Sequence, residues 1–293
     1  MKRDYLINET FEDTFPFEPH FLEVNGFNMH YIDEGSGDPI VCMHGMPTWG
    51  YLYRNFVSKL SKSNRIVVPD QMGFGKSEVP QNKQYIMEEH VSNLKKLILN
   101  LNLNNITLVM QDWGGPIGFG LAVDYSERIK ALVIMNTSIG VMKEGRKPWY
   151  ADLEEKGIYE DAMKNISNLI KGGIYNKSKI TETLLRAYSA PYTREESFKG
   201  VLAWPKDIPI GKNHPSAKIM QYVRDNLNKL EEKPKILIWG MKDPIFPPKM
   251  IKWWQEIYPN LEIYKIEDAS HFLQEDAPDA IISIIKKFMT KLS

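Results

Sequence analysis

The chain has 293 residues, 43% of them hydrophobic, which suits one α/β domain with an insertion and a substantial core. Its 37 Lys and Arg balance 37 Asp and Glu, so no global field draws it to nucleic acid or to an anionic membrane surface. No run approaches the roughly 18 apolar residues of a membrane span, and the N-terminal "MKRDYLINETFEDTFPFEP" has no apolar signal segment. A cytoplasmic, monomeric protein is the expectation.

In chain order, "HFLEVNG" and "NMHYIDEG" read as an antiparallel opening pair. "PIVCMHG", "RIVVPDQ", "ITLVMQD", "KALVIMN", "KILIWGM" and "EIYKIED" are continuous apolar runs, as expected of strands buried on both faces of a parallel sheet. Helical patterns fill 86–101, 114–125, 216–230, 247–257 and 277–291 between them. The alternation predicts a mostly parallel, doubly wound α/β sheet. The rhythm breaks over 137–215, where "WYADLEEKGIYEDAMKNISNLIKG" and "KITETLLRAYS" have helical spacing and no strand is evident. That interval is expected to be a helical cap inserted between strands of a core formed by 1–136 and 216–293.

Cys42, the single cysteine, lies in an apolar run and reads as a buried core thiol. Asn8, Asn105, Asn136, Asn165 and Asn176 match glycosylation sequons, which in an Asn-rich chain without a signal segment are chance matches. "DQMGFGKSE" is not a phosphate loop, because Asp70 stands where the first glycine is required. No His/Cys cluster has metal-ligand spacing, and the chemistry argued below needs neither a metal nor an organic cofactor.

In "LVMQDWGGPIGFG", Asp112 stands between a buried strand and a glycine-opened helix. This is the context of a nucleophile elbow, whose strained turn lifts a side chain above the sheet edge. The usual serine is replaced by aspartate, and Met110 occupies the position of the first glycine of that pattern. Asp112 as a helix N-cap is the structural alternative. "WGMKDPIF" puts Asp243 just past one later strand, and "DASHFLQED" puts His271 just past another. The order nucleophile, acid, histidine falls at the carboxyl ends of parallel strands, where open α/β sheets carry their sites. "MHGMPTWG" follows an earlier strand, and the backbone N–H groups of Met46 and Trp113 are expected to form an oxyanion hole. His44 in that loop is expected to brace it by hydrogen bonds.

"HGMPTWGYLYR", "PDQMGFGKSE", "QDWGGPIGFG", "WGMKDPIF" and "ASHFLQED" together resemble the haloalkane dehalogenase family of α/β-hydrolases. The likeness runs over nearly the whole chain and weakens in the cap. Related epoxide hydrolases usually have His where this chain has Gln111. The resemblance implies an α/β-hydrolase fold with a helical cap. It makes Asp112 the nucleophile, His271 the base, Asp243 its orienting acid and Trp113 a halide-binding indole. It also implies a small apolar halogenated substrate, with chloride or bromide as product. An anionic carboxylate suits displacement at an sp³ carbon, and the alkyl ester it forms is then hydrolysed by His-activated water.

Many members of that family take a second halide donor from an Asn that this chain replaces with Met46; another branch uses a cap tryptophan. Trp149 is favoured for that role here over Trp204. Other readings of the same residues are an epoxide hydrolase, with acid supplied by Tyr150, Tyr159, Tyr175, Tyr188 or Tyr192, and a β-lactone decarboxylase, suggested by "KDIPIGKNHPS". A further class is a non-catalytic ligand receptor or a cofactor-free oxygenase on the same scaffold.

Overall fold

In the computed structural model, which describes residues 2–292, Asn25 and Gly26 both adopt left-handed backbone, with φ of 48° and 85°. They close a two-residue hairpin between β1 (His20–Val24) and β2 (Phe27–Glu34), with Val24 opposite Phe27. Positive φ at both loop positions matches the twist of the paired strands, which is why Asn-Gly suits this turn.

The remaining strands are β3 (Pro39–Met43), β4 (Arg65–Pro69), β5 (Ile106–Gln111), β6 (Ile129–Met135), β7 (Lys235–Gly240) and β8 (Glu262–Ile266). They join one sheet in the order β1-β2-β4-β3-β5-β6-β7-β8. β2 runs antiparallel to both β1 and β4, and the other pairings are parallel. The opening pair and all six apolar runs are strands. β8 departs from the expectation of burial on both faces: it is the sheet edge, with Glu262 and Lys265 exposed, and charged side chains protect such an edge from further pairing.

α1 (Arg54–Leu60) packs on the C-terminal helix, Pro278–Thr290. α2 (Met87–Asn100) and α3 (Gly114–Asp124) pack on each other. Between β6 and β7 come α4 (Ala151–Glu155), α5 (Tyr159–Lys164), α6 (Ile166–Gly173), α7 (Glu182–Ser189) and α8 (Lys199–Lys206). Then follows α9 (Ala217–Asp225), which returns to α3. The chain finishes through α10 (Met250–Ile257), α11 (Leu273–Asp276) and α12 (Pro278–Thr290). Asn165 and Thr181 cap α6 and α7 through their side chains, as these residue types should. The interval 137–215 is not wholly without β structure, since Met142 and Ile210 form one parallel bridge at its neck. Among the described residues no helix is long and apolar enough to cross a membrane.

The N-terminal segment fastens these helices to the sheet domain. Buried Arg3 donates to the carbonyls of Gly73, Gly75 and Ser77 on the core side and of Pro191 and Ser197 on the other. Phe11 and Phe15 are fully buried against Trp49 and Tyr51, while the Trp49 indole N–H donates to the carbonyl of Ala187 in α7. Arg3→Leu strands five carbonyls around an apolar side chain, and hydrogen bonds to a charged group are worth about 1.5–3 kcal/mol each. The variant should unfold at a lower urea concentration, with stability reduced by about 2–3 kcal/mol; an unchanged midpoint would show that the strap holds nothing.

Candidate active site

β5 ends at Gln111, and Asp112 turns the chain with φ 52°, the strained geometry expected of an elbow. Two glycines permit it. A Cβ on Gly114 would lie 2.2 Å from the Met43 carbonyl oxygen, and one on Gly115 would lie 2.0 Å from Thr137 Oγ1. Both clashes would push α3 off the sheet. The helix-cap alternative for Asp112 does not hold: Trp113 flanks the start of α3, and no side chain caps it. The Asp112 carboxylate instead faces the loop after β3. Its Oδ1 accepts the Met46 N–H at 2.8 Å, and the Trp113 backbone N–H bears on the same carboxylate.

Three strand ends bring up the remaining groups. His271 Nδ1 donates to Asp243 Oδ2 at 3.0 Å, and its Nε2 lies 3.8 Å from Asp112 Oδ2. Asp243 Oδ1 accepts the N–H groups of Ile245 and Phe246, at 2.7 and 3.0 Å. Asn136, at the end of β6, donates to Asp243 Oδ2 at 2.8 Å and pairs with both backbone groups of Gly240. Gln111 donates to the His271 carbonyl at 3.1 Å, with its Nε2 3.4 Å from His271 Nε2.

Sequence reading missed Asn136, apart from its sequon, and missed the clip formed by Glu275 and Asp276. Glu275 takes a bidentate bond from Arg54, at 2.5 and 2.8 Å, and the Tyr188 hydroxyl. Asp276 accepts the N–H groups of Ser270, Tyr175 and Asn176. The position of Asn136, immediately after β6, was the available signal, because Asp112 immediately follows β5 and Asp243 and His271 come a few residues after β7 and β8.

Burial pushes the Asp112 pKa up, against the pull of His271 and the two N–H groups. Burial works to lower that of His271, but Asp243 and then Asp112 outweigh it, so the imidazole titrates above its ordinary value. His44 stays neutral: burial lowers its pKa, its Nε2 accepts the Gln71 N–H, and its Nδ1 donates to the Gly45 carbonyl. It braces the loop, as expected. Cys42 is buried and its thiol pKa is pushed up. Among the described residues no group of His, Cys, Asp or Glu could hold a metal ion.

A cavity of about 700 Å³ opens over Asp112, Trp113 and His271, walled mainly by side chains such as Leu169, Ile208 and Phe246. The indole N–H of Trp113 has no protein partner among the described residues, so it is available to the cavity. Trp149 lines the cavity but is 43% exposed. Trp204 is excluded as a donor to it, because its N–H is spent on His90 Nε2 at 2.7 Å behind Trp113. None of the five tyrosines lines the cavity. The hydroxyls of Tyr159, Tyr188 and Tyr192 are bonded to the Leu202 carbonyl, Glu275 and the Pro47 carbonyl.

A family model described as the alpha/beta hydrolase fold matches residues 38–278. Among similar proteins, the cis-3-alkyl-4-alkyloxetan-2-one decarboxylase of Shewanella oneidensis is 33% identical over 285 residues, covering 94% of this chain and 89% of that protein. Haloalkane dehalogenase 2 of Mycobacterium tuberculosis is 32% identical over 289 residues, covering 94% and 96%. Among solved structures, the tetrameric haloalkane dehalogenase DpaA of Paraglaciecola agarilytica superposes with a TM-score of 0.82 at 28% identity, covering 94% of this chain and 93% of that one.

The raised pKa of His271 means that its neutral, basic form gains population as pH rises through a value above the ordinary one. Asp243→Asn removes the main charge supporting imidazolium. An NMR titration of His271 should therefore move to lower pH in the variant. An unmoved titration would mean that Asp243 acts only as a structural tie.

Proposed function

The chain belongs to the haloalkane dehalogenase family of the α/β-hydrolase superfamily, and from that premise we propose that it cleaves carbon–halogen bonds through an ester on Asp112. The observation carrying this reading is the Met46 N–H bond to Asp112 Oδ1. It leaves Oδ2 to attack the sp³ carbon while Oδ1 already sits where an oxyanion will form. In the first step Oδ2 bonds to carbon and the halide leaves with the bonding pair, towards the Trp113 N–H. In the second, His271 takes a proton from water and the hydroxide adds to Cγ. Negative charge then develops on Oδ1 within the N–H pocket, where one such donor can be worth about 3 kcal/mol. Collapse breaks the Cγ–Oδ2 bond, the departing alkoxide takes its proton from the His271 imidazolium to leave as the alcohol, and loss of the remaining proton to solvent regenerates the carboxylate.

Esterification also helps the second step. The alkylated Asp112 carries no charge, so one of the supports of the His271 imidazolium disappears when a neutral base is needed. Asp243 still holds the ring and stabilises the imidazolium once it forms.

The epoxide reading loses the cavity-facing acid it requires, given the tyrosine geometry above. A β-lactone reading is favoured by one observation: Met46 has no side-chain N–H and Trp204 is committed to His90, so beside Trp113 only exposed Trp149 is left to meet a halide. In that reaction Asp112 attacks ring carbon C4, opening the C4–O bond. Loss of carbon dioxide from C3 then forms the C3–C4 double bond and returns the ester electrons to Asp112. No water is consumed.

Three measurements separate these outcomes. Asp112→Ala should fold and lose all turnover. His271→Phe exposed to a bromoalkane should accumulate an alkyl group on the Asp112 peptide, visible by mass spectrometry; a cis-dialkyl β-lactone turned over undiminished by that variant would favour decarboxylation. A single turnover of bromoalkane in heavy-oxygen water should give unlabelled alcohol and a labelled Asp112. Label in that first alcohol would rule out the ester.

A further inference from the structure

The charges on the cavity wall are unevenly placed. Asp112 is the one carboxylate lining it among the described residues, whereas Arg146 and Lys147 both line its outer part. The two cations are not equivalent. Lys147 is held by Asp152 at 2.5 Å and Glu155 at 2.9 Å. Arg146 forms no ion pair or side-chain hydrogen bond among the described residues; only its backbone is engaged, by the Lys143 carbonyl.

Exposure grades along the cavity. Asp112 and Trp113 are each 9% exposed and His271 5%, whereas Trp149 and Ile245, which also line it, are each 43% exposed. An apolar wall thus runs from a buried carboxylate to a solvent-facing rim bearing an unpaired guanidinium beside an indole.

We propose that Arg146 forms an anion-binding subsite at the mouth of this cavity, and that the preferred substrates are carboxylate-ended amphiphiles: an apolar chain with the reacting carbon at its inner end and a carboxylate at its outer end. The proposal rests on the reading of Asp112 as the reacting group. The inner end must be uncharged, since a second anion beside Asp112 would be repelled in a low-dielectric site. The outer end meets one free cation. A planar guanidinium matches a carboxylate in charge and in its two-pronged geometry, whereas a phosphate dianion would call on Lys147, which two acids already neutralise. The exposed faces of Trp149 and Ile245 cover the methylenes nearest the head.

The test pairs binding with turnover. Quenching of tryptophan fluorescence, with Trp113 and Trp149 as reporters, gives the affinities of octanoate and 1-octanol for the wild type and for Arg146→Gln. Octanoate should bind about threefold to fivefold more tightly than octanol at low ionic strength, the size expected for a solvent-exposed charge pair. The preference should shrink as salt is added and vanish in Arg146→Gln. Equal binding of the two ligands, or a preference that survives the substitution, overturns the subsite.

Bromide release from 8-bromooctanoate and from its methyl ester forms the second arm. A higher kcat/KM for the acid, lost in Arg146→Gln, extends the subsite to catalysis. If neither compound releases bromide while the octanoate preference behaves as stated, the subsite stands and the dehalogenation reading fails. If the methyl ester is turned over as fast as the acid and octanoate binds no better than octanol, dehalogenation stands and the subsite fails.

Discussion

Asp112 is 9% exposed and burial pushes its pKa up, yet a carboxylate attacks carbon only when ionised. The Met46 N–H bond at 2.8 Å, with the Trp113 N–H and the nearby imidazole, offsets the loss of water around that charge. Much of the architecture serves this arrangement. β3 and β5 pair in register with Met43 beside Met110, which brings the two loops after those strands together. Gly114 and Gly115 let α3 approach the sheet closely, and the Trp113 N–H just ahead of that helix bears on the same carboxylate. A single backbone contact thus supports ionisation in the resting site and would hold the oxyanion in the second step.

His271 is held as firmly as Asp112. Phe272 donates its N–H to the Gly173 carbonyl at 2.8 Å, Asp276 joins the His271 loop to Tyr175 and Asn176, and Glu275 joins it to Arg54 and Tyr188. These partners lie on the core and on the helices between β6 and β7. His271 and the helices over the cavity are therefore one connected unit. The N-terminal strap through Arg3, Phe11 and Phe15 ties the same helices down at a second place, so the cavity volume and the His271 position are set by common contacts.

The indoles show how hydrogen-bond commitments decide function. Trp49, Trp204, Trp239 and Trp254 are buried and each donates its N–H within the protein, as buried indoles generally do. Trp113 keeps its N–H free at the floor of the cavity, and Trp149 stands at the rim. The cavity therefore offers one sheltered indole donor and one exposed to solvent.

The strands and the opening hairpin were legible in the sequence, and so were Asp112, Asp243 and His271 as candidates, which the fold brings within reach of one another. Each of these is written in local signals: runs of apolar residues, the Asn-Gly pair, and a polar residue placed just beyond a strand. α1 and α11 carried too few turns to show a period, α8 is masked by the proline within it, and the exposure of β8 followed from its place at the sheet edge. Which partners the side chains take was set by packing. Trp204 meets His90 across 114 positions and Asn136 meets Asp243 across 107; no local pattern encodes either contact. The five tyrosines look alike as possible acids until the fold turns them away from the cavity, and Arg146 looks like any surface cation until the fold sets it on the cavity wall. Backbone conformation follows from neighbours in the chain, whereas the use of a donor or a charge depends on what packing brings against it.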